Sequence, residues 1–378
     1  MRIIQLGKFY PIRGGVEKVM WDLTRGLSAR GVDCDMLCAS FPSDKTDPQD
    51  EGLEQPDGSL RLNGHGRVIR VKAYAKKAAT MLSPAMVSWL RRHRAHYDII
   101  HVHHPDPMAA LALRFSGFKG KVVLHWHSDI VSQKFLLALY RPLQNWLIKR
   151  ADIIVGTSPV YIASSPWLKD VQQKCTYVPI GIKPIEVDPA AAAAVRERFT
   201  GKTLLLSVGR LVPYKGYSVL IRAMKYLPDK YQLLIGGSGP LRSELEELIE
   251  NEKLQGRVCL EGYLSDEALR ARYGACDLFV LASIMKTEAF GIVQIEAMSC
   301  GKPVVATKIP GSGVSWVNED GVSGRNVPPG DPRLMADAIE DVMDNYRNFS
   351  GGARARFDEM FCEDKMINSI IKIYEALV

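Results

Sequence analysis

The chain has 378 residues, more than one ordinary core needs and about right for two domains. With 47% hydrophobic and 24% charged residues and a mean hydropathy of -0.06, it can fill sizeable cores, which excludes disordered, collagenous and coiled-coil classes. The net charge of +7 is split unevenly, +11 over residues 1–183 and -4 over 184–378, so the two halves face different partners.

In chain order, the first strand is expected over Ile3 to Leu6 and ends at Gly7. The chain then runs to Gly14-Gly15 and into a helical pattern from Val16 to Arg30. Adjacent glycines before a helix let backbone N–H groups approach an anion, although a tight turn is an equally economical reading. No dinucleotide or P-loop fingerprint accompanies them: Gly201-Lys202-Thr203 has Arg196 where the leading glycine should stand. Further strands are expected at Cys34 to Ala39 and Val68 to Lys72. From Gly58 to Tyr97 there is no acidic residue, while Arg67, Arg70, Lys72, Lys76, Lys77, Arg91 and Arg92 interleave with apolar ones. That composition suits an anionic membrane surface, and equally a solvated basic helix with no partner; no nucleic-acid recognition motif accompanies it.

Strands at Ile99 to His103 and Val122 to His127 bring five of the eight histidines to neighbouring strand ends: His101, His103, His104, His125 and His127. No cysteine flanks them and no helix carries a His-x-x-x-His pair, so packed imidazoles are expected rather than a metal site. His127, before Ser128-Asp129, is the one expected to reach a cleft and handle a proton or hydrogen bond. Strands at Ile153 to Gly156 and Tyr177 to Ile180 complete the first half, and Pro179, Pro184 and Pro189 mark the join.

The second half is expected to place strands at Leu204 to Val208, Gln232 to Ile235, Val258 to Leu260, Leu278 to Leu281, Val304 to Ala306 and Asn326 to Val327. The first of these runs into Gly209-Arg210 and then Lys215-Gly216, two cations at a strand end that suit a diphosphate; surface salt bridging is the plain alternative. Gly237-Ser238-Gly239-Pro240 opens another helix, and Glu288 stands eight residues before Glu296, seven residues between them, across the start of a third. The N–H groups of Phe290, Gly291, Ile292 and Val293 are unpaired in such a first turn. Two parallel sheets with helices on both faces follow, each binding ligand at the carboxyl ends of its strands. A last helical pattern, Lys365 to Leu377, could return to the first domain.

Six elements in order resemble glycosyltransferase family 4: Gly14-Gly15, the His127 strand end, Gly209-Arg210 with Lys215-Gly216, Gly237 to Pro240, the Glu-x7-Glu element, and Pro328-Pro329-Gly330-Asp331. The resemblance implies an α/β protein of GT-B fold, two Rossmann-like domains facing across a cleft with a C-terminal helix crossing back. It implies an acceptor-binding domain over 1–183 with the crossing helix at 360–378, and a nucleotide-sugar donor-binding domain over 184–359. Arg210 and Lys215 would hold the donor diphosphate, Glu296 the ribose, and Glu288 with Phe290, Gly291, Ile292 and Val293 the transferred sugar. Gly209, Gly239, Glu261 and Gly262 would complete the donor site; Gly14 and Gly15 would lie beside diphosphate and acceptor, and His127 near the anomeric carbon. Asp33-Cys34-Asp35 is similar to a metal-holding Asp-x-Asp but starts a strand away from the cleft.

After Pro310 the chain reads Gly311-Ser-Gly-Val-Ser-Trp-Val-Asn318 where many members have Gly-Gly and then Pro-Glu, which resembles the bacterial rhamnosyl- and mannosyltransferase subset. The expected reaction is retaining transfer of a hexose, mannose from GDP-mannose, to a lipid-linked or oligosaccharide acceptor, with no metal and no cofactor. A nucleotide-sugar epimerase of the same architecture and a non-catalytic sugar-nucleotide binder are the alternatives. Apolar runs of only strand length, the lack of a signal-peptide pattern over Met1 to Gly15 and seven cysteines without a Cys-x-x-Cys pair place the chain in the cytoplasm with buried thiols. The basic stretch would dock it peripherally on the inner leaflet.

Overall fold

The structure, a computed structural model, describes residues 1–12, 15–44, 53–62, 65–77, 80–130 and 134–378. They divide into two units, residues 1–181 with 363–378, and residues 182–362. The chain therefore leaves the first unit, completes the second, and returns to the first for its last helix.

Across the first sheet the strands run Cys175–Tyr177, Ile153–Gly156, Lys121–Trp126, Ile99–His104, Arg2–Phe9, Asp33–Ser40, Gly66–Lys72 and Leu60–Leu62. All pairings are parallel except the last, where Leu60–Leu62 runs antiparallel to its neighbour. Ile99–His104 is buried along its whole length, as a parallel strand covered on both faces must be, and its run of apolar and histidine side chains is the sequence form of that burial. The last helix, Glu363–Glu375, buries Met366, Ile367, Ile370 and Tyr374, one apolar stripe at helical spacing. It packs on helix Val16–Ala29, where Gly26 permits the approach: a Cβ there would lie 2.0 Å from Ile367 Cδ1.

The second sheet runs Val258–Gly262, Tyr231–Gly236, Thr203–Val208, Leu278–Leu281, Val304–Thr307 and Gly324–Val327, all parallel. Its core gathers Leu205, Leu233, Ile235, Leu278 and Val280 with Leu220, Ile221, Met335 and Ile339 from the covering helices.

Every strand expected from the sequence overlaps an observed one, with one displacement. The strand expected at Tyr177 to Ile180 is observed at Cys175–Tyr177, because Val178 N–H makes the last ladder bond and Pro179 has no donor to continue it. Leu60–Leu62 and the hairpin Ala75–Lys77 with Thr80–Leu82 were not expected. All seven cysteines are free thiols. Burial pushes Cys38 and Cys276 up to about 12, which keeps them protonated. Among the described residues no helix is long and apolar enough to cross a membrane.

Candidate functional site

In the second unit the turns after three adjacent strands interlock. Gly209 N–H donates to Gly236 O at 3.0 Å, Leu211 N–H to Ser238 O at 3.0 Å, and Gly237 N–H to Gly262 O at 2.7 Å. Side chains would not fit: a Cβ on Gly237 would lie 2.0 Å from Gly209 O, and one on Gly239 2.4 Å from Leu211 O. Bare backbone thus forms the floor at the carboxyl ends of these strands.

Lys215 stands beside this floor at the end of the short turn Pro213–Lys215, and its ammonium meets Glu288 Oε2 at 2.5 Å. The same carboxylate oxygen accepts from Ser283 Oγ at 3.0 Å, while Ser312 Oγ donates to the Glu288 backbone carbonyl at 2.5 Å. The unusual Gly311-to-Asn318 segment therefore has a local role, since Ser312 and Gly313 brace the Glu288-Ala289 backbone. Both ion-paired side chains are mostly buried, 11% and 13% exposed, so a ligand phosphate would compete with Glu288 for the ammonium. Arg210 differs: its side chain is exposed and has no ion-pair partner among the described residues.

Glu296 projects from helix Ile292–Ser299 and accepts from the Tyr273 hydroxyl at 2.7 Å. Burial, together with the neighbouring carboxylate, raises Tyr273 far above its ordinary value, so it stays a donor. Phe290 is buried edge-on against Phe361; Gly291 caps the helix in the left-handed region, and no side chain caps the first turn formed by Ile292 and Val293. Glu261, expected to contact donor, is gripped by Arg272 through both oxygens at 3.0 Å, with Arg198 at 3.8 Å. This holds the strand end, and Gly262 O accepts from Gly237 N–H. Asp331 caps helix Pro332–Asp344 by accepting from Arg333 and Leu334 N–H groups, which is a structural role.

The strand ends of the first unit carry histidines. The rings of His101, His103, His125 and His127 stack with centroid separations from 4.1 to 5.3 Å and interplanar angles of 12–27°. One nitrogen from each of His101, His103 and His125 falls within 4.8 Å of the others. Metal ligation does not suit them: near-parallel rings aim their lone pairs side by side rather than at one point, and both His103 nitrogens are in hydrogen bonds. Burial lowers all five imidazoles, His104 and His125 to about 3, with Lys8 adding to the effect on His103, His104 and His127. They are neutral.

Two residues beside this stack were not singled out from the sequence. Lys8 follows Gly7 with a left-handed φ of 59°, its N–H donating to Asp106 Oδ2 and its ammonium to Pro105 O, both at 2.5 Å. Asp106 also caps helix Pro107–Ser116. A lysine that keeps a backbone region favouring glycine, at a strand end, marks strain held in place by its contacts. The turn after His127 is fixed by Asp129, which accepts from Trp126 Nε1 at 3.0 Å and Ser165 Oγ at 2.7 Å. Gly15 precedes helix Val16–Ala29, and Gly14 lies outside the described residues.

The basic stretch is only partly a surface. Arg70 stacks over Tyr10, bonds Glu54 and Gly58 O and is 11% exposed, which removes it from any docking face. Arg67 pairs with Asp35 and Asp57. Lys72 and Lys76 lie over the Tyr74 and Phe9 rings, and Lys77 ends a short strand. Arg91 and Arg92 are exposed on helix Pro84–His93, whose Met86 and Leu90 point into the core.

Comparison with known proteins gives two family models that together span most of the chain, "Glycosyltransferase Family 4" over residues 13–184 and "Glycosyl transferases group 1" over 191–359. The chain is 32% identical over 384 residues to O-antigen chain mannosyltransferase C of Escherichia coli, covering 100% of this chain and 99% of that one. It is 29% identical over 369 residues to D-rhamnosyltransferase WbpZ of Pseudomonas aeruginosa, covering 96% and 92%. Among solved structures it is similar to Anabaena Alr3699/HepE in complex with UDP, with a TM-score of 0.79, 22% identity and 100% of both chains covered.

Proposed function

The chain belongs to glycosyltransferase family 4 and has the GT-B fold, and from that premise we propose that it transfers mannose from GDP-mannose to a sugar hydroxyl of a lipid-linked polysaccharide precursor, with retention at the anomeric carbon. The observation that carries the reading is the Lys215–Glu288 pair beside a floor of bare backbone at the strand ends of the second unit. The end-to-end likeness to bacterial O-antigen mannosyl- and rhamnosyltransferases supports the choice of sugar and acceptor class.

The second unit takes the donor and the first unit the acceptor. As the glycosidic bond to the diphosphate lengthens, negative charge grows on the leaving group, and Lys215 and Arg210 stabilise it without a metal. Glu296, held by Tyr273, accepts from the ribose hydroxyls, and Glu288 with the Phe290 to Val293 backbone positions the hexose. His127 meets the hexose near its anomeric carbon. The Lys215–Glu288 ion pair leaves Glu288 poorly suited to act as a nucleophile, so a front-face route in which the departing phosphate takes the acceptor proton fits the residues best. Arg91 and Arg92 are the residues assigned to an anionic inner-leaflet surface.

Transfer of radiolabel from a panel of GDP-, UDP- and dTDP-sugars into a lipid extract tests this reading. Label in lipid from GDP-mannose, with the α-linkage of the donor kept, is the expected outcome. Donor turnover without acceptor would point to an epimerase, and donor binding without turnover to a non-catalytic binder; either would overturn it.

A further inference from the structure

Five buried residues of the first unit form one continuous hydrogen-bonded path. His127 Nε2 lies 2.9 Å from His103 Nδ1, and His103 Nε2 lies 2.6 Å from Gln5 Oε1. Gln5 Nε2 is 2.9 Å from the Tyr374 hydroxyl, which is 2.5 Å from His101 Nδ1. The path links three adjacent strand ends, passes through Tyr374 on the last helix and closes at His101 on strand Ile99–His104, and His127 at 4% is its most exposed member. In such a place an unsatisfied donor or acceptor is costly, and along the path the described residues leave only its two end atoms, His101 Nε2 and His127 Nδ1, without a partner.

The polarity is set at Gln5. Its amide nitrogen donates to Tyr374 and faces Cys34 Sγ at 3.8 Å, while the thiol itself lies 3.9 Å from Asp35 O and spends its proton there. The amide oxygen is thereby turned to His103 and can only accept, so His103 carries its proton on Nε2. A neutral imidazole has one N–H, which leaves His103 Nδ1 bare and obliges His127 to donate from Nε2. Turning the Gln5 amide over would reverse every bond and make His127 an Nδ1 donor instead.

We propose that Gln5 and Tyr374 are positioning residues that hold His127 as the neutral Nε2–H tautomer, so that it serves sugar transfer as a hydrogen-bond acceptor through Nδ1 and not as a proton donor. Among the described residues that Nδ1 has no partner. The partner it fits is a hydroxyl of the transferred sugar, a group that can donate, rather than a phosphate oxygen, which cannot. This rests on the reading that His127 meets the hexose. None of these path residues except His127 is placed against substrate; Gln5 and Tyr374 act through it.

The test is long-range proton–nitrogen NMR of the full chain labelled with 15N-histidine. A protonated Nε2 and a bare Nδ1 on His127 are expected, and a protonated Nδ1 overturns the proposal without any variant being made. Tyr374→Phe and Gln5→Met are expected to give His127 a mixture of tautomers and to lower kcat about tenfold while donor KM is unchanged. A folded Tyr374→Phe protein with wild-type kcat and an unmixed His127 signal also overturns it. If the Nε2–H tautomer is seen but His127→Gln transfers at the wild-type rate, the placement of His127 against substrate fails, and the proposed acceptor role fails with it.

Discussion

The carboxyl ends of the two sheets solve the same problem with opposite electrostatics. In the first unit, five imidazoles are buried and kept neutral, and hydrogen bonds rather than charge orient four of them, while His125 is held by stacking. In the second, charges are kept but matched: Lys215 with Glu288, and Glu261 with Arg272. In the proposed reading, a neutral stack lets His127 meet an uncharged sugar, whereas a matched ion pair can be exchanged for a pair with an arriving phosphate. The contrast explains why the two ends should respond to different perturbations.

Acid should break the first end. Its histidines titrate near their ordinary value of about 6.5 in the unfolded chain and well below it when folded, so the unfolded chain binds more protons and stability falls as pH drops from about 6.5 toward 3. Well below pH 6.5 each histidine that stays neutral contributes a loss of about 1.4 kcal/mol per pH unit. Thermal melts at pH 7.5 and 5.5 should differ sharply, and superimposable melts would show the stack is not neutral.

The second end should answer to mutation. Lys215→Ala is expected to lower transfer about 10²- to 10³-fold in the radiolabel assay. Lys215→Met alone strands a mostly buried carboxylate and should cost about 3 kcal/mol in denaturant unfolding. Pairing it with Glu288→Gln should return most of that stability and none of the activity. Recovery of transfer in the double variant would dismiss Lys215 as a functional residue. A smaller effect is expected of Tyr273→Phe, about 1 kcal/mol in stability, with a higher donor KM as Glu296 loses its anchor. Least of all, Arg91→Glu with Arg92→Glu should weaken binding to anionic vesicles, by about 1 kcal/mol for each charge, while Arg70→Met should lower stability and leave vesicle binding alone.

The alternation of strands and helices was legible because parallel strands are buried on both faces and leave unbroken apolar runs with glycine or histidine at their ends. Local elements fared well for the same reason, down to the position of Glu296 inside its helix. What could not be read was who pairs with whom. The acid-free stretch looked like an open cationic face, yet Asp35, Asp57 and Glu54 reach it from outside that stretch, because charge patterning along the chain is blind to residues brought in by the sheet. The resemblance places Glu261 in the donor site, and only the fold reveals that Arg272 and Arg198 are turned onto it. Tyr374 gave no local signal, since its partner Gln5 stands 369 positions away.

That separation bears on synthesis. Residues 182–362 form an uninterrupted unit that can fold as it emerges, whereas the first unit must wait for its closing helix until all of the second has been made. Until then the groove beside Gly26 stays empty and the Gln5 amide lacks its tyrosine. A chain cut before Glu363 would therefore have an intact second unit and an unfinished first one, a ready substrate for chaperones and proteases.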